Sequence, residues 1–277
     1  METPKNSILV PYDFTEVADF AIQHAIILSK VLDANVQLLH IVKKETMITE
    51  VNTRLSEQAQ KIKDQWGVMP NIITREGSIF KTINQVVEEL NCMLVVMGTH
   101  GMKGLQKLTG SWALKVIVGS KIPYLVVQSA PQEDNYSKIV FPVDYKSENK
   151  EKLKWVEFMA KFFKSKTYIF TSATKEGIVD SRTKANVVFS KKFLEEKKID
   201  YELALAEGKT SFSQETIQYS ESIEANLVLV MTTRDIAFHD YVLGAYEQYI
   251  IANSAKIPIL VINPRTDLMK YGYGGFG

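Results

Sequence analysis

The 277-residue sequence repeats itself, and this internal repeat restricts the fold more than any other feature. Residues 8–13 read ILVPYD, and residues 139–144 read IVFPVD, an offset of 131 positions (139 minus 8). Two further pairs of segments follow in the same order: residues 93–97 (MLVVM) with 227–231 (LVLVM), and residues 121–123 (KIP) with 256–258 (KIP). Matches that keep their order along a chain indicate a tandem duplication, so the fold of one unit is used twice.

Each unit alternates apolar strands with helical segments. In the first unit, continuously apolar runs predict strands that are buried on both faces of a sheet; they lie at residues 8–12, 36–42, 93–97 and 124–127. A weaker run at residues 71–74 predicts one more strand, and the segments between the runs have the spacing of amphipathic helices. Strands that alternate with helices predict a parallel, doubly wound α/β sheet.

A polar, breaker-rich segment at residues 128–136 (QSAPQEDNY) separates the two units and has the composition of a linker. We therefore predict one domain at residues 1–130 and a second domain at residues 137–265. Residues 266–277 have no counterpart in the first unit and are rich in glycine and aromatic residues. We expect this tail to be flexible, with a role as a docking peptide left open.

Composition excludes several classes of partner. The net charge of +1 does not favour a nucleic acid or an anionic membrane, and no apolar run reaches the ~18 residues of a membrane span. The single cysteine, Cys92, forms no internal disulfide and suits a reducing compartment. The sequence thus predicts a cytoplasmic protein with a buried, unreactive thiol, without a nucleic-acid or membrane partner.

A glycine-rich segment follows the fourth strand of the first unit. Residues 98–111 read GTHGMKGLQKLTGS, and an apolar-periodic helix is predicted directly after Ser111. Glycines between a strand and a helix let backbone N–H groups approach an anion, and the helix start adds partial positive charge. This pattern predicts a phosphate-binding loop.

Taken together, these segments resemble the universal stress protein (UspA-like) family. The resemblance is carried by V-P-x-D-F-[ST] at residues 10–15, M-G-T-H-G-x-x-G-L at 97–105, G-S at 110–111 and I-P-x-L-V-V at 122–127. It covers nearly the whole chain in architecture, but the glycine loop occurs only once. The family pattern is G-x2-G-x9-G-[ST], and here eight residues rather than nine separate Gly101 from Gly110.

The resemblance implies two tandem Rossmann-like (adenine nucleotide alpha hydrolase-like) domains. Each would be a five-stranded parallel sheet of order 3-2-1-4-5 with helices on both faces. The last strands of the two domains, at residues 124–128 and 259–263, would pair antiparallel and form a pseudo-dimer within one chain. A homodimer of whole chains stays open.

The resemblance also implies a nucleotide site in the first unit, which would hold ATP or another adenine nucleotide, with Mg²⁺. Its residues would be Pro11, Asp13, Thr15, Ile41, Met97, Gly98, His100, Gly101, Gly110 and Ser111. Asp13 and the backbone at Ile41 would contact adenine, and Met97 and Gly98 would lie under the ribose. The residues from His100 onward would surround the phosphates. The alternatives are that Asp13 is a turn residue and that Gly98 and Gly101 serve tight geometry without ligand.

The second unit departs from this pattern. Alignment of the apolar runs matches Gly98 with Thr232 and Gly101 with Asp235, and Gly244 is followed by Ala245 rather than serine. An aspartate would place negative charge where an anion should bind. We therefore predict that the second unit binds no nucleotide and is structural.

No catalytic or metal-binding motif is present in the sequence, which lacks a complete P-loop, HExxH, CxxC and a nucleophile elbow. The resemblance therefore predicts a stress-response module that binds or senses adenine nucleotide, rather than a metabolic enzyme. An interaction scaffold that binds no nucleotide is the alternative, and slow ATP hydrolysis stays open.

Overall fold

The computed structural model describes residues 6–100, 116–117, 120, 122–146, 149–234, 241–242 and 245–263. In the first half these residues form β1 (Ser7–Pro11), α1 (Glu16–Leu32), β2 (Asn35–Val42), α2 (Ile48–Trp66), β3 (Asn71–Glu76), α3 (Ile79–Glu89), β4 (Cys92–Gly98) and β5 (Tyr124–Val127). In the second half they form β6 (Lys138–Val143), α4 (Asn149–Phe163), β7 (Lys166–Thr171), α5 (Ser181–Glu196), β8 (Tyr201–Leu205), α6 (Phe212–Ser222), β9 (Leu227–Met231), β10 (Thr233–Arg234), β11 (Tyr241–Val242), α7 (Ala245–Ile251) and β12 (Ile259–Ile262).

Local sequence explains where several helices begin and end. Asp180 caps α5 by accepting from the backbone N–H groups of Arg182 and Thr183, and Ser211 with Gln214 forms a capping box at α6. Helix α2 ends at Gly67, whose φ of 74° is in the left-handed region that glycine adopts readily. These boundaries fix where the strands resume.

The described strands, apart from a β10–β11 hairpin, form one ten-stranded sheet of order β3-β2-β1-β4-β5-β12-β9-β6-β7-β8. The order 3-2-1-4-5 is therefore present twice, as predicted. Within each half the neighbouring strands are parallel, whereas β5 and β12 pair antiparallel with Leu125 opposite Leu260. The predicted pairing within one chain is confirmed. Because one sheet runs through both halves, the domain boundaries at residues 130 and 137 stay a prediction.

Both faces of the sheet are covered by helices, which is why its strands are apolar on both sides. Helices α1, α2, α4 and α5 pack in one hydrophobic cluster with Val10 and Leu38. Helices α3, α6 and α7, together with Val116 and Ile117, pack in the cluster on the other face with Leu9 and Val95. No helix among the described residues is long and apolar enough to cross a membrane.

His24 of the first half contacts both ends of the linker. His24 on α1 is 1% exposed; its Nδ1 accepts from the Tyr136 hydroxyl (2.6 Å), and its Nε2–H donates to the Ser129 carbonyl (3.1 Å). Burial lowers the pKa of His24 to about 4, so the ring is neutral at neutral pH. Cys92 is buried as predicted, and burial raises its pKa to about 11.

Two side-chain amides cross between the halves in a reciprocal arrangement. Gln128, after β5, donates from Nε2 to the carbonyls of Ile251 and Asn253 in the second half. Asn263, after β12, donates from Nδ2 to the carbonyls of Ile117 and Ser120 in the first half. The amide that follows the last strand of each half thus donates to backbone carbonyls of the other half, near the end of a helix. The two sets of hydrogen bonds are related by the pseudo-twofold arrangement.

Strand pairing corrects the alignment of the two halves. Val95 N–H donates to the Pro123 carbonyl and Val228 N–H to the Pro258 carbonyl, so Val95 corresponds to Val228. By the same ladder, Thr99 corresponds to Thr232, because their N–H groups donate to Val127 and Ile262. The counterpart of Gly98 is therefore Met231, and the match of Gly98 with Thr232 was wrong by one residue. Uniformly apolar runs can be shifted by one without a visible penalty in sequence, whereas the ladder fixes the register.

Candidate functional site

The carboxyl ends of β1 and β4 form the topological switch point of the first half. The two strands are neighbours, with β2 beyond β1 and β5 beyond β4. After β1 the chain enters α1 on one face of the sheet, whereas Val116 and Ile117, between β4 and β5, are helical and pack on the other face. Connections that leave adjacent strands toward opposite faces create a crevice, where ligands bind in sheets of this type.

The structure brings seven of the ten predicted site residues to neighbouring strand ends. They are Pro11, Asp13 and Thr15 at β1, Ile41 at β2, and Met97, Gly98 and His100 at β4. The predictions at Gly101, Gly110 and Ser111 lie outside the described residues. Asp13 and His100 are exposed, whereas Met97 is 8% exposed and packs in the core.

Asp13 and Thr15 form a closed turn before α1. One carboxylate oxygen of Asp13, Oδ1, accepts from the Thr15 hydroxyl (2.5 Å) and from the Thr15 backbone N–H (3.2 Å). Thr15 is the N-cap residue of α1, but its side chain makes no capping hydrogen bond because its hydroxyl donates to Asp13 instead. Asp13 therefore acts as a turn residue, and its exposed carboxylate still faces solvent beyond β1.

Phe14 has a left-handed backbone, with φ of 64°, which costs free energy for a bulky residue. The Arg54 guanidinium lies 3.9 Å from the centroid of its ring, and the rings of Tyr12 and His40 lie 5.0 Å away. His40 Nδ1–H donates to the Tyr12 carbonyl at 2.7 Å. Sequence reasoning included Phe14 in the family motif but missed this conformation and its packing, which make the turn rigid.

Tyr12, which comes directly before Asp13, connects the turn to α1 through a hydrogen bond. Its hydroxyl donates to Asp19 Oδ1 at 2.8 Å. Burial, together with the hydrogen bond and negative charge of Asp19, raises the pKa of Tyr12 above its ordinary value. The ring therefore stays neutral and serves as a packing and hydrogen-bonding element of the site.

Gly98 is required by close packing between α1 and β4. A Cβ at this position would lie 2.1 Å from the Val17 carbonyl oxygen and 2.4 Å from its carbon. Glycine at position 98 thus has a physical reason that needs no ligand. Thr99, the next residue, is 5% exposed, and its hydroxyl has no hydrogen-bond partner among the described residues.

The second half keeps the turn but fills its crevice differently. Asp144 Oδ1 accepts from the Lys146 N–H (3.0 Å), as Asp13 does from Thr15. The Asn186 amide on α5 donates to the carbonyls of Asp144 and Lys146. The Lys146 ammonium then reaches Glu247 of α7, with Nζ 3.0 Å from Oε1. Sequence reasoning missed this ion pair; the lysine at the position of Thr15 was the available signal.

Two cavities lined by described residues lie away from both crevices. One is beside the linker, lined in part by His24, Tyr136 and Lys256. The other lies beside β3 and is lined in part by Asn52, Arg75 and Glu89. Among the described residues, no group of three or more histidine, cysteine, aspartate or glutamate side chains could hold a metal ion.

Comparison with known proteins agrees with this architecture. A model of the universal stress protein family matches residues 5–128. The chain is 30% identical over 142 residues to Universal stress protein MJ0531 of Methanocaldococcus jannaschii, covering 46% of this chain and 84% of that protein. It is 33% identical over 133 residues to Universal stress protein Sll1654 of Synechocystis sp., covering 44% of this chain and 84% of that protein.

A solved structure extends the similarity to the whole chain. The crystal structure of a universal stress protein from Archaeoglobus fulgidus superposes with a TM-score of 0.76 at 18% identity, covering 94% of this chain and 99% of that one. At this identity the match shows the fold, and it includes both halves. With the sequence relatives, it leads to one conclusion: the chain belongs to the universal stress protein family.

Proposed function

We propose that the first half binds an adenine nucleotide, such as ATP with Mg²⁺, and that the protein acts as a nucleotide-binding or nucleotide-sensing stress-response module. The observation that carries this proposal is the switch point between β1 and β4, with Asp13 on one side and the start of the glycine loop at Gly98 on the other. The single, buried Cys92 suits work in the reducing cytoplasm.

The turn before α1 supports the adenine side of the proposal. Phe14 and His40 hold the turn rigid, so the Asp13 carboxylate has a fixed position before a ligand arrives. A preorganised acceptor loses little entropy on binding. Asp13 is the residue that the family resemblance assigns to adenine recognition.

The second half is proposed to be structural. Its turn at Asp144 is kept, but the Lys146–Glu247 pair lies at its strand ends. The strand that corresponds to β4 ends in Met231, which is 7% exposed, where the first half has Gly98. These two changes distinguish the strand ends of the second half from those of the first.

Calorimetric titration with ATP, ADP and AMP, each with and without Mg²⁺, tests the proposal. Asp13→Ala is the informative variant, and Asp144→Ala is its matched control because it removes the same kind of turn from the other half. Loss of a hydrogen bond to a charged group costs about 1.5–3 kcal/mol, so Asp13→Ala should weaken binding about tenfold or more. Asp144→Ala should bind like the wild type.

Two outcomes contradict the proposal. Absence of binding at millimolar nucleotide would favour the alternative, an interaction scaffold without nucleotide. Equal affinity in Asp13→Ala and Asp144→Ala would place the ligand elsewhere. A second variant, Gly101→Asp, adds negative charge to the glycine loop and should abolish binding with an unchanged circular dichroism spectrum. We expect no phosphate release from ATP over hours, which tests the open possibility of slow hydrolysis.

A further inference from the structure

An ion pair spans the carboxyl edge of the sheet in the second half. Lys146 lies just beyond β6, and Glu247 lies on α7, which packs on the face opposite α4 and α5. Lys146 Nζ is 3.0 Å from Glu247 Oε1, with side chains 28% and 1% exposed. Since β6 and β9 are neighbours, the pair crosses the switch point of the second half.

Both partners are positioned by their surroundings. On one side, Asn186 holds the loop through the carbonyls of Asp144 and Lys146. On the other, the ring of Tyr246, next to Glu247, stacks on Phe212 at 5.7 Å and lies 5.6 Å from Lys146 Nζ. Burial alone would lower the pKa of Lys146, but the hydrogen bond and charge of Glu247 raise it above its ordinary value, so the lysine stays protonated at neutral pH.

Neither partner has an equivalent in the first half. The turn that begins at Asp144 has Lys146 where the turn at Asp13 has Thr15. The whole stretch from residue 99 to residue 123, which connects β4 to β5, contains no aspartate or glutamate. The ion pair is therefore specific to the second half.

We propose that the Glu247 carboxylate occupies the anion position at the switch point between the ends of β6 and β9. Its negative charge there excludes phosphate-bearing ligands from Lys146 and from these strand ends. An incoming phosphate would meet a buried negative charge and would have to break its pairing with Lys146, which is costly for a desolvated pair. The proposal concerns the second half alone and stands whether or not the first half binds nucleotide.

Removal of the negative charge should convert the crevice into an anion site. Glu247→Gln keeps the size of the side chain and an oxygen that accepts from Lys146, but it removes the negative charge that lies 3.0 Å from the ammonium group. A small anion can then supply the missing charge. Lys146→Met combined with Glu247→Gln is the matched control, since it removes the cation as well.

Isothermal titration of the full chain with inorganic phosphate tests this inference. We expect Glu247→Gln to gain one phosphate site with affinity about tenfold or more above that of the wild type, equivalent to about 1.4 kcal/mol. The double variant should lose the gain. A folded Glu247→Gln protein with the phosphate isotherm of the wild type would overturn the proposal.

If Glu247→Gln does not fold, a measurement on the wild type tests whether phosphate binds beside Lys146. Backbone NMR shifts of Asp144, Lys146 and Glu247 should stay unchanged as phosphate is added. Saturable shifts at these three residues would mean that phosphate enters the crevice despite Glu247, which contradicts the proposal. The same spectra report Asp13 and Gly98 separately, so an effect in the first half is distinguished from one in the second.

Discussion

Asn263 should be the side chain on which the connection between the two halves depends most. It is 7% exposed and makes three hydrogen bonds. Two cross the boundary, from Nδ2 to the carbonyls of Ile117 and Ser120, and the third holds the side chain within its own half, where Oδ1 accepts from the Thr232 hydroxyl at 2.7 Å. Asn263→Ala removes all three at once and leaves their partners in a buried place. This is the perturbation that we expect to be the most destabilising among the polar contacts between the halves.

The magnitude follows from burial. A hydrogen bond contributes about 0.5–1.5 kcal/mol net, and a buried group left without a partner costs about 1–3 kcal/mol. Three lost bonds, with the Thr232 hydroxyl and two carbonyls left behind, should lower the free energy of unfolding by roughly 3–5 kcal/mol. Gln128→Ala is the matched control, because its amide makes two bonds, at 3.0 and 3.3 Å, from a half-buried position that water can reach. We expect it to cost about 1 kcal/mol.

Urea unfolding followed by tryptophan fluorescence gives both values, and thermal unfolding gives a second estimate. For a chain of this size 1 kcal/mol shifts the Tm by roughly 2–4 °C, so Asn263→Ala should melt about 6–20 °C below the wild type. Separation of the melt into two transitions would agree with a weakened connection between the halves. A loss below about 1 kcal/mol, or one equal to that of Gln128→Ala, would refute the assignment of the connection to Asn263.

Three further predictions concern the first half. Between pH 6.5 and 4 the wild type should lose roughly 2–3 kcal/mol more stability than His24→Gln, because burial holds the folded pKa of His24 at about 4 and the unfolded chain binds more protons in that window; equal losses in urea unfolding at pH 7 and 4.5 would contradict this. Gly98→Ala should lower the free energy of unfolding by about 1–3 kcal/mol or more, since its Cβ would meet the Val17 carbonyl at 2.1 Å; an unchanged Tm would exclude the clash. A thiol reagent should label Cys92 only after unfolding, because the thiol is buried and its pKa is raised to about 11; rapid labelling of the native protein would show that the site opens.

The fold could be predicted from the sequence because the pattern leaves little freedom. Runs such as residues 36–42 and 124–127 are apolar throughout, which a sheet covered on both faces requires, and the structure has β2 at Asn35–Val42 and β5 at Tyr124–Val127. The order of the strands and the β5–β12 pairing came from family resemblance rather than from periodicity. Both are present in the structure.

The residue-by-residue alignment of the two halves could not be predicted, because their strands are apolar at every position. A strand that is apolar at every position fits its neighbours in hydrophobicity after a shift of one residue, so Met231 and Thr232 were both acceptable matches for Gly98. Only the hydrogen bonds of Val228 to Pro258 and of Val95 to Pro123 distinguish them. The contact of Gly98 with Val17 joins residues far apart in sequence and had no local signal. The contact of Lys146 with Glu247 is also distant in sequence, and its one signal was the lysine at the position of Thr15.

The corrected alignment explains why the carboxyl edge of the sheet differs between the two duplicated units. Gly98 lets the backbone of α1 lie directly against β4, and a Cβ there would collide with it. Met231 has a side chain at the equivalent place. The Lys146–Glu247 pair lies at this altered edge. Because the ladder hydrogen bonds do not involve these side chains, the sheet kept its order while the edges diverged. Among the described residues, the two halves therefore differ at these strand ends through Gly98, Met231, Lys146 and Glu247, while the order of the strands is the same.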